Sequence, residues 1–113
     1  MILLNAFSAN MIAEFPVNIR FTEITAAEAR LVLMCAAEDS GEAECIRSAV
    51  GHSDTAAVFS AALNVPVPCR RETVTMARGQ QAIVGQYSGP RLPEGATTLP
   101  EGASIKWLAV VVE

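Results

Sequence analysis

The sequence predicts an α/β fold, a single-domain mixed β-sheet with helices packed on it. Apolar runs at residues 2–7 and 105–112 are typical of buried strands. Between them, two stretches after residues 25 and 53 carry apolar side chains at helical spacing. At 113 residues the chain has the length of one domain, and we expect residues 1–113 to form it.

The first part of the chain predicts two strands and a helix. The buried strand at residues 2–7 ends in a polar loop, and residues 17–24 alternate apolar and polar side chains, the pattern of a strand with one face in solvent. The sequence TAAE at residues 25–28 is a capping box, so a helix should begin there. Its predicted apolar stripe consists of Ala29, Val32, Leu33 and Ala36.

The middle of the chain predicts a loop, a short strand and a second helix. The acidic residues 38–44 favour a solvated loop, and residues 46–50 are expected to form a short strand. The second helix is predicted from Asp54 to about Leu63. Two prolines at positions 66 and 68 then exclude helix and favour an extended connection.

The last third of the chain predicts strands and one exposed loop. Residues 73–77 and 82–87 are expected to pair as a β-hairpin across a Gly-containing turn. Residues 88–95 are dense in Gly and Pro but contain Arg91 and Glu94, so they form either a lid or an ordinary polar surface loop. The final strand, residues 105–112, has the unbroken apolar character of a central strand covered on both faces.

Composition limits the possible partners. Hydrophobic residues make up 51% of the chain, which indicates surface hidden in an oligomer, and a homodimer is the simplest closed form. The net charge of −4 argues against a long nucleic acid as ligand. A ligand with few phosphates remains compatible with three arginines, Arg70, Arg71 and Arg91.

The cysteines and the apolar runs bear on location and cofactors. Cys35, Cys45 and Cys69 are odd in number and lack CxxC spacing, so we interpret them as buried thiols of a reducing compartment. No apolar run is long enough to cross a membrane, and we expect a cytoplasmic protein. The sequence contains none of the common phosphate-binding, dinucleotide-binding or metal-binding motifs, so neither a cofactor nor a metal is expected.

His52, the only histidine, lies beside the predicted start of the second helix. Ser53 offers an N-cap hydroxyl and Asp54 a carboxylate in the first turn. A helix N-terminus presents unpaired N–H groups and partial positive charge, which favour a bound phosphate. An imidazole there can protonate an oxygen that leaves phosphorus; the alternative is a loop histidine before a capped helix.

Polar side chains also follow the first strand, namely Asn5, Ser8 and Asn10. They can satisfy local backbone groups where the strand becomes a loop. Alternatively they form a polar rim at the end of the strand, where ligands of α/β sheets commonly bind.

Three short motifs follow one another along the chain: NAFSANM at residues 5–11, GHSDT at residues 51–55 before a helix, and RLPEG at residues 91–95. In this order and spacing they resemble the signature stretches of the viral ring nucleases, which are type III anti-CRISPR proteins. The resemblance extends over essentially the whole chain.

The resemblance implies a homodimer that binds cyclic tetraadenylate, the second messenger of type III CRISPR defence, across its two-fold axis. It also implies cleavage without a metal to linear diadenylates that end in a 2′,3′-cyclic phosphate. His52 matches the catalytic histidine of the family, Glu94 a carboxylate that assists it, and Arg91 an arginine of the lid. The positions that contact ligand in the family correspond here to Asn5, Ser8, Asn10, Thr55, Arg71 and Gln86.

Two further hypotheses remain open at this point. Asp54 stands where the family often has serine, and its carboxylate adds negative charge beside the predicted phosphate site. This favours a dimer that binds a cyclic oligonucleotide and sequesters it without cutting. The high apolar content is equally compatible with a structural or protein-binding dimer in which His52 has no chemical role.

Overall fold

A computed structural model describes residues 1–39 and 46–113 of the chain. Over these residues, four strands form one mixed sheet with two α-helices, so the predicted α/β class is confirmed. The elements are β1 (Leu3–Leu4), a 3₁₀ helix (Ala9–Met11), β2 (Ile19–Ile24), α1 (Ala26–Asp39), α2 (Ser53–Leu63), β3 (Gln81–Ser88) and β4 (Ser104–Val112). The strand order is β1-β3-β4-β2, with β1 parallel to β3 and all other pairs antiparallel.

β4 occupies the centre of the sheet, as its unbroken apolar sequence predicts. It pairs with β3 on one side and with β2 on the other. Its side chains alternate between two buried clusters: Trp107 packs under the helices, and Val110 packs on the opposite face. Both faces of β4 are therefore covered.

The helix face of the sheet holds the core that positions α2. Phe59 of α2 and Trp107 of β4 are both buried, and their rings meet edge to face with centroids 5.1 Å apart. Leu33 from α1 belongs to the same cluster and is 1% exposed. The opposite face is covered by the segment around the 3₁₀ helix and by Met76, which packs with Ile12.

Gly85 lies on β3 directly beneath this aromatic pair. A Cβ atom added there would lie 2.7 Å from Cζ of Phe59 and 2.7 Å from Cζ3 of Trp107. We therefore expect Gly85→Ala to lower the free energy of unfolding by about 1–3 kcal/mol, measured by urea denaturation. Ser88→Ala, at an exposed position of the same strand, is the control and should leave the midpoint unchanged. Equal midpoints for both variants would contradict this packing.

The start of α1 follows the predicted capping box. The backbone N–H of Glu28 donates to Oγ1 of Thr25 at 3.1 Å, and the N–H of Thr25 donates to Oε1 of Glu28 at 3.1 Å. Ala29 and Leu33 of the predicted stripe are buried, but Val32 is 37% exposed. Val32 therefore does not belong to the buried stripe, and the side chain of Ala36 lies outside what the structure describes.

Several sequence predictions near α1 need correction. Glu38 and Asp39 belong to the helix, and the rest of the predicted acidic loop, residues 40–44, lies outside the described residues, as does Cys45. The other two cysteines, Cys35 and Cys69, are exposed rather than buried. The interpretation of these two cysteines as buried thiols is therefore wrong.

The predicted strands at residues 2–7 and 46–50 are shorter than expected. Only Leu3 and Leu4 form β1, and residues 46–50 make single bridges, from Ser48 to Leu3 and from Val50 to Cys69. The N–H of Leu3 donates to the carbonyl of Arg47 at 3.0 Å, and the N–H of Ala49 donates to the carbonyl of Leu3 at 2.9 Å. These few bonds still hold the chain beside the sheet just before His52.

The predicted hairpin between residues 73–77 and 82–87 is wrong. β3 pairs with β4 instead, over eight residue pairs from Gln81–Val111 to Ser88–Ser104. Residues 73–77 contribute a single bridge, from Met76 to Ile12. β3 and β4 are therefore the two strands of the actual hairpin, and the long connection at residues 89–103, which includes the candidate lid, joins them.

β2 is an edge strand whose apolar side chains stay partly in solvent. The alternation at residues 17–24 predicts one buried face, but on that face Phe21 is 49% exposed and Ile19 is only half-buried. The ring of Phe21 meets that of Phe7 edge to face, with centroids 5.5 Å apart. Within one copy of the chain this apolar face is incompletely covered.

Candidate functional site

A cleft of about 820 Å³ lies between the start of α2 and the loop that follows β3. A volume of this size lies within the range of small-ligand sites. It brings together two elements that are about 40 residues apart in the chain, the start of α2 and the loop that connects β3 to β4. Its lining consists of His52, Asp54, Thr55, Tyr87, Arg91, Leu92, Pro93 and Glu94.

Four of the nine predicted site residues meet in this cleft. They are the two candidate catalytic residues, His52 and Glu94, and two candidate ligand contacts, Thr55 and Arg91. His52 and Glu94 are both exposed, so a ligand can reach them. The side chains expected from the sequence to act together are thus adjacent to one space.

The start of α2 orients His52. His52 itself takes the N-cap position, with extended φ −119° and ψ 128°, and its carbonyl accepts a bond from the N–H of Ala56 at 3.0 Å. Ser53, the predicted N-cap, is instead the first helical residue. Because the imidazole makes no capping bond, it remains available to a ligand beside the N–H groups of the first turn.

The opposite face of α2 anchors the helix in the core. Ala56, Val58, Phe59 and Leu63 are buried, and the helix ends at Asn64, whose φ of 54° places it in the left-handed region. Apolar burial of this kind fixes the helix axis and therefore the position of its first turn.

Arg71 approaches the same region from the extended segment after α2. The carbonyl of Val50 accepts a bond from the N–H of Arg70 at 2.8 Å, which holds the two segments together. At the next position, a Cβ on Gly51 would lie 3.2 Å from Cγ of Arg71. The stem of Arg71 therefore lies against the residue immediately before His52.

The loop at residues 89–95 is held at both ends. The hydroxyl of Tyr87 donates to the carbonyl of Pro90. At the other end, the N–H of Gly95 donates to Oδ1 of Asp54 at 3.1 Å. These contacts place the candidate lid against the start of α2.

Four cleft residues were not among the predicted site residues, namely Asp54, Tyr87, Leu92 and Pro93, and the first two contact the loop directly. Tyr87 reads as a core residue of a strand, and Asp54 as a helix-start charge; only the fold shows that both contact the loop. The adjacency of an aromatic residue to the Gly-Pro loop was the one available signal for Tyr87.

Asn5 and Gln86 lie in a separate pocket of about 300 Å³, on the other face of the sheet. The pleat of β3 explains this, since successive side chains point to opposite faces and Tyr87 faces the cleft. Ser8 precedes the 3₁₀ helix and Asn10 lies within it, both exposed. In one copy of the chain these residues are thus apart from His52.

The charges in the cleft are mixed. Asp54 and Glu94 contribute carboxylates, and Arg91 a guanidinium. Among residues 1–39 and 46–113, the ion pairs use Arg20, Arg47, Arg70 and Arg78. Neither Arg71 nor Arg91 is in an ion pair within that part of the chain, so both guanidinium groups are available to an anionic ligand.

Comparison with known proteins shows to which family this chain belongs. A family model described as STIV B116-like matches residues 1–105. The chain belongs to the STIV B116-like family. A solved structure, B116 of Sulfolobus turreted icosahedral virus, is similar with a TM-score of 0.78 and 26% sequence identity, over 97% of this chain and 97% of that chain. A search of curated proteins found no match.

The expectation of a viral family is therefore confirmed at the level of the STIV B116-like family. The matched residues 1–105 include α2, β3 and the loop between β3 and β4, which form the cleft of this STIV B116-like protein. In the described part of the chain, no helix is long and apolar enough to span a membrane. No group of three His, Cys, Asp or Glu side chains suited to a metal ion occurs among those same residues.

Proposed function

We propose that this STIV B116-like protein is a ring nuclease that cleaves cyclic tetraadenylate without a metal ion and so counters type III CRISPR signalling. The observation that supports the proposal is the convergence of His52, Thr55, Arg91 and Glu94 on one cleft at a helix N-terminus. The substrate, cyclic tetraadenylate, is inferred from the three motifs at residues 5–11, 51–55 and 91–95, which resemble those of the viral ring nucleases.

The proposed reaction uses the ribose of the ring as its own nucleophile. The 2′-oxygen attacks the adjacent phosphorus, its proton passes to solvent, and the bond from phosphorus to the 5′-oxygen breaks. Holding these atoms in line lowers the barrier by about 7–11 kcal/mol in favourable intramolecular cases. The products are linear diadenylates with a 2′,3′-cyclic phosphate.

The protein then has to supply a proton and donors for negative charge. His52 donates its proton to the departing 5′-oxygen, a contribution of about 10²–10⁴-fold. Arg91, Arg71 and the N–H groups at the start of α2 stabilise the charge that develops on the phosphate. Glu94, which lines the same cleft, pairs with the imidazolium and keeps the ring oriented.

A homodimer completes the proposed site. A ring of four identical nucleotides has two-fold symmetry, which matches a dimer that presents two copies of the cleft. The partly covered apolar face around Phe21 supports an assembly of this kind. Asn5 and Gln86, which line the second pocket, are then assigned to adenine, whose N6 and N7 atoms pair well with side-chain amides. The proposed location is the cytoplasm of the host cell.

The test is product analysis of the purified protein with an excess of cyclic tetraadenylate in a chelator. We expect many rings to be consumed per protein, with linear diadenylate ending in a 2′,3′-cyclic phosphate as product. Depletion limited to one ring per dimer, with intact ligand recovered after denaturation, would instead identify a nucleotide sponge. The observation that favours a nucleotide sponge is the negative charge of Asp54 in the cleft.

A further inference from the structure

Asp54 connects two parts of the cleft. Its Oδ1 accepts a hydrogen bond from the N–H of Gly95 at 3.1 Å, joining the first turn of α2 to a residue 41 positions later. The N–H of Gly95 belongs to the same planar peptide group as the carbonyl of Glu94. Holding this peptide therefore fixes the backbone from which the Glu94 side chain projects.

The rest of the loop offers little other support at this end. The bond from Tyr87 to Pro90 holds the beginning of the loop, and the bond from Ala96 N–H to the carbonyl of Pro93 lies within the loop. Arg91, Pro93, Glu94 and Gly95 are exposed, and only Leu92 among residues 91–95 is half-buried. Apolar burial thus contributes little to the position of Glu94.

Asp54 itself is well placed to act as an anchor. It lies in the first turn of α2, where the helix dipole favours a carboxylate, and its side chain is half-buried in the cleft. A hydrogen bond from an N–H group to an ionised carboxylate is about twice as strong as a neutral one.

We propose that Asp54 is a positioning residue that anchors the loop at residues 89–95 and holds Glu94 at the cleft beside His52 before the ligand binds. The role in catalysis rests on the proposed function; the anchoring of the loop does not. Preorganisation of this kind accelerates the chemical step, whereas the negative charge of Asp54 weakens attraction for phosphate. Asp54 therefore raises the rate of cleavage at some expense in affinity.

Asp54→Asn and Asp54→Ala separate the two effects. Asparagine retains an acceptor oxygen at the same position and removes the charge, whereas alanine removes both. We expect the single-turnover rate on bound cyclic tetraadenylate to stay within about threefold of the wild type in Asp54→Asn. In Asp54→Ala it should fall by about ten- to a hundredfold, because misplacement of a catalytic group is costly. Binding of the ring should weaken in neither variant.

Amide hydrogen exchange of the ligand-free protein tests the anchor without any nucleotide. The N–H of Gly95 should exchange slowly in the wild type and in Asp54→Asn, and rapidly in Asp54→Ala. Trypsin cleavage after Arg91 should accelerate in parallel. Asp54→Ser, whose hydroxyl is too short for the same contact, should show the same rapid exchange at Gly95 as Asp54→Ala and serves in this comparison if the alanine variant does not fold.

Equal exchange at Gly95 in all variants would overturn the anchor. Altered exchange with equal cleavage rates in all variants would overturn the positioning role. If the wild type leaves the ring intact, the proposed function fails, and the exchange comparison alone decides whether Asp54 holds the loop.

Discussion

His52→Ala is expected to lower the rate of cyclic tetraadenylate cleavage by about 10²–10⁴-fold, the range of a lost general acid. The imidazole is exposed and makes no capping bond, so its removal leaves α2 and the cleft in place. Binding of the ring should therefore persist while the chemical step slows. The measurement is the single-turnover rate in a chelator, together with the affinity for the intact ring.

The neighbouring Ser53→Ala variant is the control. Ser53 is exposed, lies in the first turn of α2 and is not part of the cleft lining, so its loss should leave the rate unchanged. Free imidazole should restore part of the lost rate in His52→Ala, because the site stays open to solvent. Cleavage by His52→Ala as fast as by the wild type would refute the proposed role of this side chain.

Leu33→Ala is expected to lower the free energy of unfolding by about 2–5 kcal/mol. Leu33 is 1% exposed and lies in the cluster with Phe59 and Trp107 that holds α2 on the sheet. The truncation leaves a cavity between the two helices and the sheet. Urea denaturation at one fixed protein concentration measures the effect.

Leu31→Ala makes the same chemical change two residues away in the same helix. Leu31 is 65% exposed, so its truncation should change the free energy of unfolding by at most about 0.5 kcal/mol. A large effect at Leu31 with a small one at Leu33 would mean that α1 packs with a different face toward the sheet.

The elements that the sequence predicted well are those set by neighbouring residues. The side chains of Thr25 and Glu28 each accept a hydrogen bond from the backbone N–H of the other residue, three positions away. Four consecutive residues are therefore enough to predict the start of α1. α2 was predicted to within one residue, from apolar spacing and a favourable first turn. The central position of β4 follows from an apolar run that needs cover on both faces.

The elements that were predicted wrongly depend on distant partners. Residues 73–77 look like a strand next to β3, yet β3 finds its antiparallel partner in β4 across a loop of residues 89–103. β2 was predicted as a strand and is one, but the face expected to be buried leaves Phe21 49% exposed, although the ring of Phe7 packs against it. The partner of a strand depends on which apolar faces of distant segments are buried together in the folded chain. A short stretch of sequence carries no information about those distant segments.

For the candidate site, the sequence by itself determined which polar and ionisable groups are present: one histidine beside a helix start, and an arginine and a glutamate in a Gly-Pro loop. Only the tertiary structure decided which of these side chains line the same cleft. The return from β3 to β4 brings Glu94 to the cleft of His52, and the pleat of β3 turns Gln86 to the other face. Helix starts are local hydrogen-bonding events, whereas convergence across 41 residues depends on how the sheet closes.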